Sequence, residues 1–473
     1  MMGRTPRPEA PISVALLVAQ AEPSSLMAAR WQMAISLGWH IVLACFGVAF
    51  PMLIWVVHRH GLRHGDAEAL SLAKRWSKVA AVLFAIGAVS GTILSFEMGL
   101  LWPELMRTYG DVIGLPFALE GIAFFLEAIF IGIYLYGWDR LPPRLHLWTL
   151  VPIALSGVAG TFCILAVNAW MNSPSGFRLV DGRVTDVDPV AAMFNDAVWI
   201  QFLHMWVATV MVVGFCTAAV YATGLLRGRD DHRHRFGFRV AFAFAAAAAL
   251  AQPLIGHVAG ARLAGAQPTK LAAIDLAVET EQPSPLVLGG VIVDGEARFG
   301  IEIPGLGSLI SRASVDRPVQ GLEEFPAADR PEDALVSMVH LSFQGMVGIG
   351  LGLAALGAAY WWRSRRGRDW LESRRFLWVA VLAGPASVAA LQLGWMTTEL
   401  GRQPWVVYRV MRIDEAVTRG SGVWITLAAV VVGYTVMTVM AVLTLRSMAR
   451  RWREGEPLDL PTPYSPERVG DSA

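Results

Sequence analysis

One segment decides the fold assignment of this chain: residues 395–405, with the sequence WMTTELGRQPW. A long apolar run ends there at a carboxylate, Glu399, followed by a guanidinium, Arg402. Burying a charge in hydrocarbon is costly, so an ionisable residue at the end of a membrane-length helix is usually functional. Trp395 lies one turn before Glu399 on the same helix face, and the Gly and Pro that follow are predicted to end the helix and place Arg402 in the interfacial layer. The alternative is an interfacial Trp/Arg anchor.

The composition around this segment indicates a polytopic membrane protein. The 473 residues are 55% hydrophobic and 16% charged, with a mean hydropathy of +0.48, whereas soluble domains carry about 25% charged residues. The net charge of +1 offers no basic face for nucleic acid. Lys and Arg cluster in short segments between apolar runs, which fits control of topology rather than nucleic-acid binding.

The predicted fold is an all-α polytopic membrane protein with about nine transmembrane helices. We divide the chain into an N-terminal extension (1–25), helices one to six (26–260), a long loop (261–336), helices seven to nine (337–446) and a tail (447–473). The apolar run within the N-terminal extension is too short to span a bilayer. The runs of spanning length are 31–57, 77–101, 113–137, 147–170, 196–226, 237–260, 337–362, 376–398 and 421–446.

The distribution of positive charge predicts the orientation. Lys and Arg concentrate in the segments that follow the odd-numbered runs, and such segments stay in the cytoplasm. The N-terminus is therefore predicted outside, the C-terminus in the cytoplasm and the loop 261–336 outside. Within this loop we predict a short helix at 269–279 and a hairpin formed by 289–295 and 299–304.

The three cysteines, Cys45, Cys163 and Cys216, lie inside apolar runs without paired spacing. This pattern predicts no disulfide framework, zinc site or covalent haem attachment. The histidines fall into two groups. Six flank cytoplasmic Arg clusters and are predicted to be solvated: His58, His60, His64, His146, His232 and His234. The other four lie in or at the ends of apolar runs, where each needs a metal, a hydrogen-bond partner or a water path: His40, His204, His257 and His340.

The run Gly-Arg-Gln-Pro-Trp at 401–405 resembles the signature of subunit I of cytochrome bd-type quinol oxidases. Five further regions resemble that family in the same order along the chain, and the outer loop resembles its shorter versions, as in cyanide-insensitive oxidases. These regions are 30–40, beginning RWQM; 110–140, with LEG, FLE and GWDR; 167–171, VNAWM; 202–204, FLH; and 269–275, TKLAAID.

The resemblance implies three haems. His204 and Met346 match the axial ligands of a low-spin haem b, and Gln344 lies in the same block. His40 and Glu399 match the single ligands of a high-spin haem b and of the oxygen-reducing haem, a haem d or a third haem b. The resemblance leaves open which residue holds which haem. The resemblance makes Trp395 and Arg402 catalytic candidates, with Trp395 packed between the two haems or, alternatively, in the core.

The family match also implies roles for four polar residues. Glu120 and Glu127 lie seven positions apart on one helix face. The resemblance implies that they form a catalytic proton relay; the alternative is a hydrogen-bonded packing pair. Lys270 and Asp275 match the family's quinol-contacting Lys and Glu. Because Asp is shorter than Glu, a bridging water is expected at Asp275; without the family, the pair would be assigned to a solvated face.

The implied activity is oxidation of quinol at the outer face and reduction of O2 to water, generating membrane potential without proton pumping. Implied partners are a second multispanning subunit, possibly a small single-span subunit, and membrane lipid in the bacterial cytoplasmic (inner) membrane. Two alternatives stay open: a proton-coupled transporter or channel, and a haem-based sensor. A visible spectrum separates a haem protein from a transporter.

Overall fold

The computed structural model describes residues 24–312, 318–367, 369–455 and residue 458. Most of the predicted N-terminal extension and of the tail lies outside these residues. Within them, nine helices are long and apolar enough to cross a membrane, which confirms the predicted number. We label them α1 (Ser24–His64), α2 (Ala67–Leu101), α3 (Pro103–Tyr136), α4 (Leu150–Asn172), α5 (Val198–Leu226), α6 (His232–Ala266), α7 (Asp333–Arg365), α8 (Arg374–Leu400) and α9 (Val423–Arg453).

The helices extend beyond the apolar runs because capped polar turns continue them. The side chain of Asp66 accepts from the backbone N–H of Ala69 at the start of α2. Asp231 caps α6 and Ser373 caps α8 in the same way. Each cap satisfies a backbone donor that the first helical turn leaves without a partner.

Eight of the helices form two four-helix groups. Helices α1 to α4 pack in a ring, and α5 to α8 form a second ring in which α5 and α7 each pack against both α6 and α8. Contacts of α5 with α1 and α4 join the groups, while α9 packs on the outside of α1 and α2. The C-terminal end of α8 lies where both groups meet, since Glu399 there is hydrogen-bonded to Asn168 of α4.

Small residues allow the second group to pack closely. A Cβ added to Gly214 of α5 would lie 2.8 Å from the backbone oxygen of Ala241, and one added to Gly357 of α7 would lie 2.9 Å from that of Ala246. Both partners belong to the alanine-rich helix α6. Close backbone contact through small residues is how helices associate where lipid supplies no hydrophobic driving force.

The long loop is a compact layer of short elements. It begins with the helix Pro268–Asp275 and continues into two nested antiparallel ladders. The outer ladder pairs β3 (Leu286–Leu288) with β6 (Ile301–Ile303), and the inner one pairs β4 (Val291–Val293) with β5 (Glu296–Arg298). A hairpin is present in this stretch as predicted, but the predicted pairing of 289–295 with 299–304 was wrong: 291–293 pairs with 296–298, and 301–303 pairs with 286–288. The helix Leu306–Arg312 and the 3-10 turns Leu322–Glu324 and Ala327–Asp329 complete the described part of the loop.

Two smaller ladders and three short helices lie between the spans. One ladder is β1 (Arg178–Val180) with β2 (Arg183–Thr185); the other, β7 (Trp405–Val407) with β8 (Met411–Arg412), directly follows α8. The short helices are Pro143–Trp148, Pro189–Met193 and Ile413–Ala416. Backbone bonds from Tyr408 to Met171 and from Thr418 to Leu101 tie the segment after α8 to the ends of α4 and α2.

Candidate functional site

The Glu399 carboxylate lies at the end of α8, where the two helix groups meet. Its Oε1 accepts from Asn168 Nδ2 of α4 at 2.6 Å, and its Oε2 accepts from Arg402 Nη2 at 2.7 Å. The helix ends at Leu400, as predicted from the Gly and Pro, and the position of Arg402 at the depth of the interfacial layer stays a prediction. The Arg402 side chain is 4% exposed, so it is buried within the protein. Trp395 is half-buried one turn earlier.

Arg402 has two N–H donor nitrogens without a hydrogen-bond partner. One nitrogen pairs with Glu399, while Nε and Nη1 are buried without a hydrogen-bond partner. Leaving buried charged donors unpaired is expensive, so this surface is built to accept a further anionic or carbonyl group. A bound haem or quinol carries such oxygens.

A line of hydrogen bonds runs from Glu399 to the long loop between α6 and α7. Asn172 Nδ2 donates to the backbone oxygen of Asn168 at 2.8 Å and lies 3.3 Å from its Oδ1. Asn172 Oδ1 in turn accepts from Lys270 Nζ at 2.7 Å and from Gln267 Nε2 at 3.1 Å. The structure thus brings together two predicted site residues, Lys270 and Glu399, through two asparagines to which the sequence assigned no role.

Lys270 is buried, and so is Asp275, so the alternative of a solvated face was wrong. Burial lowers the pKa of the Lys270 ammonium from 10.5 to about 7; the positive charge of Arg402 adds to the decrease and the Glu399 carboxylate opposes it. The Lys270 stem crosses Gly401, where an added Cβ would lie 2.8 Å from Lys270 Cγ. The glycine of the Gly-Arg-Gln-Pro-Trp motif is therefore needed for the loop to seat.

The His40 ring on α1 is oriented by a hydroxyl on α2. His40 Nδ1 lies 2.8 Å from Ser90 Oγ, which itself donates to the backbone oxygen of Gly87 at 2.9 Å. Ser90 must then accept from His40 Nδ1, so His40 Nε2 carries the lone pair that binds a metal. Gly91 leaves space beside the ring. This arrangement suits a single axial ligand.

His204 and Met346 lie on the diagonal helices of the second group, α5 and α7. The two flanking helices present glycines to them: an added Cβ at Gly256 would lie 3.2 Å from His204 Cε1, and one at Gly394 would lie 2.8 Å from Met346 Sδ. Gln252 Nε2 donates to the His204 backbone oxygen at 3.1 Å and lies 3.3 Å from both ring nitrogens. Both side chains pack directly against these glycines, so a larger residue at either position would displace a candidate ligand.

Comparison with known proteins agrees with this geometry. Residues 28–453 match the family model described as cytochrome bd terminal oxidase subunit I. A putative cytochrome bd menaquinol oxidase subunit I of Bacillus subtilis (strain 168) is 32% identical over 446 residues, covering 92% of this chain and 98% of the relative. The chain belongs to the cytochrome bd terminal oxidase subunit I family. The solved bd oxidase from Geobacillus thermodenitrificans is 34% identical with a TM-score of 0.85, covering 91% of this chain and 99% of that one.

A more distant relative also matches this chain over most of both lengths. The cytochrome bd-II ubiquinol oxidase subunit 1 of Escherichia coli (strain K12) is 25% identical over 491 residues, covering 89% of this chain and 95% of the relative. Membership of the cytochrome bd family implies haem cofactors and a subunit II partner, and the chain is a multi-pass membrane protein. Three features fit haem groups that are bound non-covalently. They are the His40 lone pair, the unpaired Arg402 donors and the glycines beside His204 and Met346.

Glu127, a second candidate acid of this bd subunit, is deeply buried on α3. Its Oε1 has no hydrogen-bond partner and lies near Gly47 of α1 and Gly157 of α4, at 3.4 and 3.6 Å from where a Cβ would stand. Glu120 lies two turns away and is half-buried beside Gly160. No hydrogen bond between the two carboxyls is present in the described structure, which argues against a bonded packing pair.

Gln344 binds the outer loop. Its Oε1 accepts from the backbone N–H of Gly289 at 2.7 Å, and its Nε2 donates to the backbone oxygen of Val287. The whole amide is thus used to fasten the hairpin to α7, two residues before Met346. Its assignment to cofactor binding stays a prediction, and the contacts support an indirect role through Met346.

Two histidines predicted to be solvated are buried. His58 and His146 are 1% and 2% exposed, and His58 Nδ1 lies 3.0 Å from Tyr134 Oη while His146 Nε2 lies 2.8 Å from the Tyr134 backbone oxygen. The prediction from the neighbouring Arg residues was wrong because helix ends from α1 and α3 and the helix Pro143–Trp148 converge there.

The side chains that sequence reasoning missed are amides and a hydroxyl: Ser90, Asn168, Asn172 and Gln252. A polar residue within an apolar run was the available signal, since such a residue needs a partner. The sequence does not reveal which partner each one has.

Proposed function

We propose that this chain is the haem-bearing subunit of a terminal oxidase that oxidises quinol at the outer face of the membrane and reduces O2 to water. The observation that carries the proposal is the buried Lys270 of the loop, seated on Gly401 and linked through Asn172 and Asn168 to Glu399. A quinol-binding loop and a ligand-bearing helix end are thereby parts of one polar site.

Lys270 and Asp275 bind the quinol in this proposal. An amine beside Arg402 suits a partly negative quinol oxygen, and a carboxylate suits a hydroxyl proton. Related proteins carry the names of menaquinol and ubiquinol oxidases, and either quinol head group presents the same two oxygens. Asp275 is one methylene shorter than the family's Glu, so a water is proposed between its carboxylate and the quinol.

The haem assignments follow from the four candidate ligands. His204 and Met346 would hold a low-spin haem b, because a thioether and an imidazole together would favour electron transfer at its iron. His40 and Glu399 each offer one ligand, for a high-spin haem b and for a haem d or third haem b. When bound, a five-coordinate haem supplies an iron with an open position for O2.

The chain's own acids handle protons. Glu127, with an oxygen enclosed between α1 and α4, is proposed to deliver protons drawn from the cytoplasm, with Glu120 two turns further along α3. Quinol protons leave at the outer face. Protons are thus released on one side of the membrane and taken up from the other, given the outside position predicted for the N-terminus and the loop. This separation generates a membrane potential without pumping.

The proposed partners are quinol, O2, subunit II, a small single-span subunit and membrane lipid, and the proposed location is the bacterial cytoplasmic (inner) membrane. A transporter or channel has no use for a paired His204 and Met346, and a sensor has no use for Lys270. A reduced-minus-oxidised spectrum with pyridine haemochrome analysis tests the proposal. Three haems support it, and a protein without haem bands overturns it.

The quinol site has its own test. Lys270→Ala should raise the apparent quinol KM while electrons from an artificial donor that bypasses the loop still reach O2 at the parental rate. Asp275→Glu should be tolerated, and Asp275→Asn should slow quinol oxidation because the amide accepts no proton. Parental kinetics in all three variants would exclude this loop as the quinol site.

A further inference from the structure

The two asparagines between Lys270 and Glu399 form a hydrogen-bond line with one possible direction. An ammonium only donates, and an ionised carboxylate only accepts. Lys270 must therefore meet the oxygen of Asn172, which turns the Asn172 nitrogen toward Asn168. Asn168 in turn presents its own nitrogen to Glu399 at 2.6 Å. The charged ends fix both amide orientations, independently of how the amides are assigned.

The line is shielded from water from Lys270 to Asn168, while the Glu399 side chain at its end is 26% exposed. Exposure is 4% for Lys270, 4% for Asn172 and 8% for Asn168. In such an environment, hydrogen bonds polarise one another and an unpaired polar group is costly. Disturbing one end therefore changes the partners available at the other.

A second contact joins the same two segments. The aliphatic stem of Lys270 lies on Gly401, two residues after Glu399, and Gln267 Nε2 donates to both the backbone and side-chain oxygens of Asn172, at 3.0 and 3.1 Å. The loop helix Pro268–Asp275 is thus held at its start by α4 and at Lys270 by the end of α8. An amide does not pass protons along a chain as a hydroxyl does. This line of hydrogen bonds therefore couples the charge and the position of Lys270 to the Glu399 carboxylate.

We propose that Asn172 and Asn168 are positioning residues that couple the quinol-binding loop to the Glu399 site, so that a change at Lys270 alters the electronic properties of a haem held by Glu399. The inference rests on the proposed function for the roles of Lys270 and Glu399. Seating of the loop keeps the Lys270 charge beside the Glu399 carboxylate, and a displaced loop removes it. The amides themselves do not touch substrate in this proposal.

The test is a double-variant cycle on the purified oxidase, read by redox titration of the haem bands. Below about pH 7, where the Lys270 amine is protonated, Lys270→Met removes a positive charge and should lower the midpoint potential of the haem at Glu399, changing its reduced-to-oxidised ratio about tenfold at fixed ambient potential. Asn172→Ala should lower it in the same direction, because the ammonium loses the acceptor that holds it there. The double variant should show no larger change than the larger single one. Additive changes, or an unchanged potential in Asn172→Ala, overturn the coupling.

A second readout does not depend on haem. Hydrogen exchange in the loop helix Pro268–Asp275 should accelerate in Asn172→Ala and, because coupling is reciprocal, in Glu399→Gln. The matched control is Asn195→Ala, another buried asparagine, whose amide bonds only backbone groups at Ala166, Ala192 and Ala197. Parental exchange in Asn172→Ala, or equal acceleration in Asn195→Ala, overturns the inference.

The proposed function fails in a different way. If Glu399→Gln retains every haem band, Glu399 is not a ligand, and the haem assignment falls. The exchange measurement then still decides whether the asparagines hold Lys270 against the end of α8.

Discussion

His340 Nδ1 on α7 lies 2.7 Å from the backbone oxygen of Ile274 in the loop helix. The other ring nitrogen, Nε2, lies 2.8 Å from the backbone oxygen of Gly289 in the hairpin. One fully buried imidazole therefore fastens both halves of the loop to the helix that carries Met346. Together with Gln344 one turn later, it places the loop against α7.

His340→Leu should loosen the loop without removing haem. The buried carbonyl group to which the ring N–H donates loses its donor, at a cost of about 1–3 kcal/mol, and the other carbonyl loses its packing partner. Exchange in Pro268–Asp275 should therefore accelerate, and the apparent quinol KM should rise. The control is His257→Leu, since His257 is exposed on α6. A haem loss equal to that of a His204 variant would instead make His340 a ligand.

Met346→Leu should abolish the low-spin haem spectrum or convert it to high spin while the protein still inserts. Leucine keeps the volume but has no thioether to bind iron. Met338→Leu on the same helix is the matched control, because Met338 is 44% exposed. An unchanged low-spin spectrum in Met346→Leu contradicts the ligand assignment.

Glu127→Gln should slow oxygen reduction about 100-fold with quinol affinity little changed, since the amide retains the size but carries no proton. Oxygen consumption with an excess of quinol measures the effect. Glu104→Gln, at an exposed position on the first turn of α3, should behave like the parent. Normal turnover with unaltered pH dependence in Glu127→Gln would assign Glu127 to helix packing.

Lys270→Met should stabilise the protein most at low pH. The folded-state pKa is about 7 against 10.5 for an exposed lysine, so between these values the unfolded chain binds more protons and stability rises with pH. Below about pH 7 the cost of burying the charge is fully present, and above about pH 10.5 it is absent. The Tm difference between variant and parent should therefore shrink as pH rises across this window. A difference independent of pH would show that Lys270 does not titrate there.

The sequence alone was sufficient for the membrane topology in outline. Hydropathy is a local property of each run, so the nine spans, the end of α8 after Glu399 and the hairpin near Gly295 were all predictable. The ligand candidates His40, His204, Met346 and Glu399 came from short motifs and from family resemblance, which are likewise readable along the chain. Their assignments to particular haems remain predictions.

Only the tertiary structure decided which polar groups share a site. The sequence assigned Lys270 to the loop and Glu399 to a helix end. The two asparagines that join them belong to α4, which lies about a hundred residues before Lys270 and more than two hundred before Glu399. The burial of Arg402, His58 and His146 likewise depends on segments distant in the chain. Local hydropathy records how each residue would meet water in isolation, whereas a buried charge or amide is tolerated only because a distant segment supplies its partner.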